Sequence, residues 1–475
     1  MTLRQFHDAA RAFVLSLELA RHDRWTRARV LRHQQRQLNR LVRHAVARSA
    51  FYRDLYRGVP LEGDVRLAGL PVIDKRRMMA DFDRVVTDPR LKRAELEAHL
   101  KGLDRDDYYL GEYRVLMTAG TSGLRGIFVF SRREWSVELA NAIRWHGFMG
   151  VRPRLFGRTR ISAIGADRPA HVSARLTESG DVGAFAFQRL PATLPFDRLV
   201  AAINGFQPQV LLSYPSVAAL LAIAQLEGRL AIHPRAISTH SERLSPEMAR
   251  RIERAWGTRP FDHYGLTEIS TVGVECDRHR GLHLLDDLFI AEIVDQDYRP
   301  VAPGRMGTRL LLTGLYNHTQ PLIRYEVSDM LTMASEACPC GRPFPLIAEV
   351  GGRSEETVEL VGQDGRPVSI PPAVLAAMIE ELEEVAEFRV GAAAGLLRLD
   401  IVPTAAAARE RLAARVRERL ERRLVALGAR PPRIDVALHE RLERSGARMG
   451  KLGQIERLSG PGVLAPADDR LGSAR

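Results

Sequence analysis

Between residues 118 and 126 the stretch TAGTSGLRG sets three glycines, two threonines and a serine directly after the apolar run Val115-Leu116-Met117. Glycine costs backbone entropy, so such a concentration needs a reason. Backbone N–H groups turned inward, with hydroxyls beside them, would surround an anion such as a phosphate; a plain surface turn is the alternative. The nucleoside-triphosphate loop GxxxxGK[ST] is excluded, because no lysine follows at its spacing. Four further stretches carry groups suited to a charged ligand. HYGLTE (263–268) joins an aromatic ring, a glycine and a carboxylate. IRYEVSD (323–329) reads as an apolar strand ending in Asp329, and VGGRSEE (350–356) marks a change in composition. RSGARMGKLGQI (444–455) presents Lys451 in a glycine-flanked loop. Each alone reads as a solvated loop; their order and separations together are hard to explain by chance.

The cysteines pose a separate question. Cys276 precedes His283 in ECDRHRGLH, and Cys338 and Cys340 form a CxC knuckle. Three thiols in two such clusters, plus a histidine, make the four soft or borderline ligands of a structural zinc site. His279 competes with His283 for the fourth position, and buried structural cysteine is the alternative reading.

The five stretches as a set resemble the adenylate-forming acyl and aryl ligases, over most of the chain. QLNRLVRHAVARSAFYRDLY near the N-terminus, LPVIDKRRMM at 70–79, and the pair PLIRYEVSD and CPCGR are similar to the phenylacetate–CoA ligase branch. The resemblance implies ATP-dependent activation of a carboxylic acid as acyl-AMP, with release of pyrophosphate, then acyl transfer. CoA is the expected acceptor; an amine or a carrier protein, as in natural-product assembly, is the alternative. Thr118, Thr121 and Ser122 would then donate to the β- and γ-phosphates, with Gly120 and Gly123 allowing close approach. Leu124, Arg125 and Gly126 stand where many relatives have a lysine or proline, and Arg125 is a substitute source of positive charge. By the same resemblance Tyr264 would stack on adenine, Thr267 would contact the α-phosphate, and Glu268 would hold Mg²⁺. Asp329 would accept from the ribose hydroxyls, and Arg353 would face ribose and phosphates. Lys451 matches the family's lysine, bridging carboxylate, α-phosphate and ribose. Glu355 stands at the hinge about which a small domain would rotate between the half-reactions. Tyr214, His240 and His263 fall at strand ends facing the acid pocket in relatives, which suggests an aromatic or small, modestly polar acid.

The elements that must position these groups follow from periodicity. The first 60 residues read as helical, with Leu31, Leu38, Leu41 and Val42 near one face. From about 110 to 330 apolar strand-like runs alternate with helices, the pattern of a layered α/β domain. PQVLLSY (208–214) precedes a helix with proline at its start, and SPEMARRIERAWG carries a Ser245 cap, Pro246 and a closing Gly257. The expected organisation is an α/β adenylation domain over 1–352 and a small α+β lid over 353–460, with 461–475 reading as a disordered tail. In the lid VGQDGRPVSIPP is expected as a hairpin with an Asp-Gly turn, and Leu412, Val416, Leu420 and Leu424 recur every four residues along one helix.

Composition narrows the class. At 475 residues the chain exceeds one core. No apolar run approaches a membrane span, and the three cysteines fit a reducing cytoplasm. The net charge of +12 invites a nucleic-acid partner, but the arginines are dispersed along helices, without a basic tail or interleaved aromatics. A basic surface equally suits polyphosphate substrates. Neither nucleic acid nor membrane is expected as a partner, a homodimer is left open, and a non-catalytic nucleotide- or zinc-binding protein is the rival of another class.

Overall fold

The computed structural model describes residues 3–104, 107–118, 124–151, 157–166, 168–179, 185–393, 395–405, 407–444, 451–452 and 455–457. The chain divides into two units, one comprising Met1–Val350 with Arg444–Lys451, the other Gly351–Glu443 with the residues from Leu452 onward. Arg444 and Lys451 thus group with the first unit, although they follow most of the second in sequence.

The first unit opens on helices Leu3–His22, Arg27–Arg48 and Ala50–Leu55. Thr26 and Ser49 cap the second and third through side-chain oxygens that accept from Arg29 and Tyr52 N–H groups. In the second helix Val30, Gln34, Leu38, Leu41, Val42 and Ala45 are buried, whereas Leu31 is 49% exposed. One residue is a rotation of about 100° on a helix, so burial of Val30 turns Leu31 outward and corrects the expected face.

The central sheet has nine strands among the described residues. Its parallel half comprises Phe185–Pro191, Thr159–Gly165, Val210–Ser213, Ala236–His240 and Phe261–Tyr264, side by side in that order. Gly273–Val274, Leu282–Leu284 and the start of Leu346–Arg353 continue it antiparallel, and Asp329–Met333 lies at the edge. Asp329 therefore opens a strand; the preceding Tyr325–Val327 belongs to a separate three-stranded sheet with Phe289–Val294 and Arg309–Gly314. The chain changes sheets at Ser328, a switch that alternation of apolar residues does not reveal. Helix Pro246–Trp256 starts at the Ser245 cap and stops at Gly257, which is left-handed at φ 66°. No helix among the described residues is long and apolar enough to cross a membrane.

The second unit has its own core. Strands Arg433–Leu438, Leu396–Pro403, Val385–Ala393 and Ile455–Arg457 form a four-stranded sheet. Helix Arg409–Ala426 lays Leu412, Val416, Leu420 and Leu424 into that core. The hairpin pairs Val358–Val361 with Pro367–Ile370 through residues 362–366, a loop longer than a two-residue Asp-Gly turn.

Candidate active site

The glycine- and hydroxyl-rich stretch is the loop of an antiparallel hairpin, Tyr113–Met117 against Ile127–Ser131. Its neck is tied twice: Thr118 N–H donates to Gly126 O at 2.9 Å, and Gly126 N–H donates to Thr118 Oγ1 at 2.8 Å. Gly120, Thr121, Ser122 and Gly123 lie outside the described residues. Gly126 has a steric cause: a Cβ there would meet Phe128 Cε2 at 2.9 Å, and Phe128 is 1% exposed in the core. Gly126→Ala is expected to cost about 1–3 kcal/mol by overpacking, and chemical denaturation against wild type measures it.

His171 stands against this neck, its Nδ1 3.1 Å from the Met117 carbonyl oxygen. Burial pushes its pKa down to about 4, and the charges of Lys451, Arg168 and Arg125 push the same way. The charges of three cations are thus felt at one uncharged imidazole beside the hairpin loop. Lys451 also acts on His240, where burial again comes first and the pKa falls to about 4. With both imidazoles neutral at pH 7, the positive charge here comes from lysine and arginine.

His240 ends one parallel strand, Tyr214 follows the neighbouring one, and Gly165 ends the next. Tyr214 and His240 meet edge to face with ring centroids 5.4 Å apart. A Cβ on Gly165 would lie 3.6 Å from His240 Cε1, 3.7 Å from Ser173 Oγ and 3.8 Å from Tyr214 Cε1, so glycine leaves a methyl-sized space among them. Carboxyl ends of adjacent parallel strands are where open α/β sheets bind ligands. His263 sits deeper: its ring lies 4.4 Å from Trp145, Nε2 is 3.2 Å from Thr271 Oγ1, and burial lowers its pKa to about 3.

The HYGLTE segment turns sharply after Tyr264. A Cβ at Gly265 would fall 2.2 Å from Ser270 O, so only glycine permits the fold-back that carries Thr267 and Glu268. Glu268 is 6% exposed, and the buried Tyr325 phenol beside it is raised well above its ordinary pKa, by burial first and then by that carboxylate. Tyr264 donates its hydroxyl to Asp329 Oδ2 at 2.6 Å, joining two groups 65 residues apart. In the second unit Arg353 Nη1 lies 3.6 Å from Glu355 Oε1, within the Ser354–Glu356 turn.

The cysteine cluster closes on itself. Cys276, His283, Cys338 and Cys340 offer ligand atoms all within 4.8 Å of one another. Cys276 Sγ lies 3.8 Å from Cys338 Sγ, and His283 Nε2 lies 3.3 Å from Cys276 Sγ and 3.4 Å from Cys340 Sγ. Tetrahedral zinc, at roughly 2.3 Å to sulfur and 2.0 Å to nitrogen, sets S···S near 3.8 Å and N···S near 3.5 Å. His279 is turned away, its Nδ1 3.1 Å from Glu275 Oε2. Burial pushes the Cys276 thiol up to about 12, an environment hostile to a thiolate without a cation.

Sequence reasoning missed Arg168, His171, Gly165 and Ser173. No motif marks them, because their place near the site depends on which strand neighbours which.

No protein-family model matches the chain. It is 27% identical to phenylacetate–coenzyme A ligase of Thermus thermophilus over 359 residues, covering 72% of this chain and 74% of that protein. It is 30% identical to the phenylacetate–coenzyme A ligase of Pseudomonas putida over 225 residues, 44% of this chain and about half (49%) of that one. Among solved structures it resembles a 2-hydroxyisobutyryl-CoA ligase in the postadenylation state in complex with 2-HIB-AMP, with TM-score 0.73, 19% identity, and coverage of 93% and 91% of the two chains. In fold and in sequence the chain is similar to adenylate-forming ligases of the acyl- and aryl-CoA ligase kind. Within that class the chain is a homologue of the phenylacetate–coenzyme A ligases.

Proposed function

We propose that this protein activates a carboxylic acid with ATP and transfers the acyl group to coenzyme A. The observation that carries this reading is the tied neck of the Thr118–Gly126 loop with His171 against it, where the charges of Lys451, Arg168 and Arg125 are all felt. In the first step a carboxylate oxygen bonds to the α-phosphorus, the bond to the β-phosphate bridge breaks, and pyrophosphate leaves. Both reactants are anions, so rate comes mainly from neutralising and aligning them. In the second step the CoA thiol attacks the acyl carbon, giving up its proton, and AMP departs. An amine or carrier-protein acceptor remains the second reading.

The loop and its neighbouring cations would hold the β- and γ-phosphates, Tyr264 the adenine, and Asp329 and Arg353 the ribose side. Thr267 would contact the α-phosphate. Glu268 fits a Mg²⁺ ligand, being an oxygen donor on a rigid turn, and the ion would offset charge between phosphates. Cys276, His283, Cys338 and Cys340 fit a structural zinc, which would pin the loops flanking the magnesium and ribose residues. Residues 1–352 would form the adenylation domain and 353–460 the lid, with Glu355 at the hinge. Tyr214, His240 and the space at Gly165 suit an aromatic or small acid carrying an uncharged polar group, with His263 supporting them from below.

Acid-dependent ATP–pyrophosphate exchange, run over a panel of aryl and small acyl acids with and without CoA, tests the reading. Exchange with one acid class and CoA-dependent thioester formation are expected; silence across the whole panel would favour a non-catalytic nucleotide binder. Glu268→Gln should lower exchange about 10²-fold or more, chiefly by raising the Mg·ATP requirement.

A further inference from the structure

Helix Arg132–Phe148 carries two buried carboxylates one turn apart, Glu134 and Glu138. Glu134 is occupied with architecture. It completes a capping box with Ser131 and accepts from His318 N–H at 2.8 Å, Thr319 N–H at 2.9 Å and Thr319 Oγ1 at 2.7 Å. Glu138 is 1% exposed and accepts from a different pair. The Ser270 hydroxyl and the Tyr316 hydroxyl both donate to it, and Ser270 N–H reaches its Oε2 at 3.2 Å. Ser270 lies two residues beyond Glu268 on the turn that Gly265 makes possible. Tyr316 begins the segment that runs to Tyr325, the phenol beside Glu268. Along the way Asn317 Nδ2 donates to Val129 O at 3.0 Å and Gln320 Nε2 to Ile127 O at 3.0 Å, fastening that segment to the hairpin strand. Burial raises the Glu138 pKa, and the donors from Ser270 and Tyr316 oppose it.

We propose that Glu138 is a positioning residue for Glu268. One carboxylate joins the turn bearing Glu268 to the segment bearing its neighbour Tyr325, so both sides of the Glu268 side chain are referred to the same helix. The cost of burying a carboxylate is otherwise unexplained at this position, since an apolar residue would pack against the core. Hydrogen-bonded partners behind a metal ligand set its orientation, and their loss weakens the metal by about 10–100-fold. The proposal rests on Glu268 being the magnesium ligand.

The test needs no knowledge of the acid. ATP is titrated calorimetrically into the full-length protein, once with Mg²⁺ and once in EDTA, for wild type, Glu268→Gln, Glu138→Gln, Ser270→Ala and Tyr316→Phe. Wild type is expected to gain affinity from Mg²⁺. Glu268→Gln should lose that gain, and Glu138→Gln should lose about tenfold of it, with affinity in EDTA unchanged. Ser270→Ala and Tyr316→Phe each keep one arm and should lose less; either combined with Glu138→Gln should add nothing further. Should Glu138→Gln fail to fold, these two single-arm variants carry the test by themselves. If Glu268→Gln retains the full Mg²⁺ gain, the magnesium reading falls. If Glu268→Gln loses it while Glu138→Gln, or both single-arm variants, keep it, the positioning role is wrong and the network is structural only.

Discussion

Lys451→Ala is expected to lower acid-dependent pyrophosphate exchange by about 10²–10³-fold, while acyl transfer from synthetic acyl-AMP to CoA stays within a few-fold of wild type. The asymmetry follows from charge. Adenylation brings a carboxylate to a triphosphate, and a fixed cation there stabilises the crowded transition state more than the separated reactants. His171 and His240 do not replace it, because burial holds both imidazoles neutral with pKa values near 4. The charges of Arg125 and Arg168 lower the His171 pKa, whereas that of Lys451 lowers both His171 and His240. The transfer step starts from an acyl-AMP with fewer negative charges, so the same loss matters less. Lys451→Arg should recover part of the exchange, its broad planar fork being a poor substitute for a compact ammonium. Glu355→Pro should show the reverse pattern if the Ser354–Glu356 turn is the hinge, with exchange retained and transfer lost. Both half-reactions measured on the variants settle it. Normal exchange in Lys451→Ala would remove the lysine from the chemistry; equal loss of both steps in both variants would remove the division of labour.

Protein purified without chelator is expected to contain about one zinc per chain by the four-ligand geometry, and Cys276→Ser to contain almost none. Cys276 is 1% exposed, and its sulfur lies within reach of both Cys338 and His283. Its thiol is raised to about 12 by burial, so without a cation Cys276 would stay protonated and the set of donors unfilled. Binding couples to folding: metal bound only by the native chain stabilises it, and removal returns that free energy. A fall in melting temperature of roughly 5 °C corresponds to a loss of about 4 kcal/mol in a unit of about 350 residues. EDTA should reproduce the fall in wild type and leave Cys276→Ser unaffected. His279→Ala is the control, since its Nδ1 is committed to Glu275, and it should keep its zinc. Metal content is read by elemental analysis and stability by thermal melting. A zinc-free wild type, or full zinc in Cys276→Ser, would return the cluster to a set of buried thiols.

Local chemistry determined much of this protein directly from the sequence. The Ser245 cap, Pro246 and Gly257 delimit a helix because capping depends on residues within one turn. The apolar run 115–117 and the glycine-rich stretch after it make a strand and its loop for similar reasons, and the four-residue stripe of 412–424 buries itself in any core. The residue types proposed for phosphate, magnesium and zinc were also legible, since their spacing follows the backbone that carries them. Tertiary structure decided the rest. Whether His279 or His283 joins the cysteines depends on which way a ring turns after a tight loop, and His279 turns to Glu275. Asp329 opens one strand instead of closing another because two sheets exchange the chain at Ser328. Glu138 meets Ser270 across 132 residues and Tyr316 across 178, and nothing near it in sequence distinguishes it from a solvated glutamate. Such a pairing is set by the order of strands and the faces they present, which is a property of the whole packed domain.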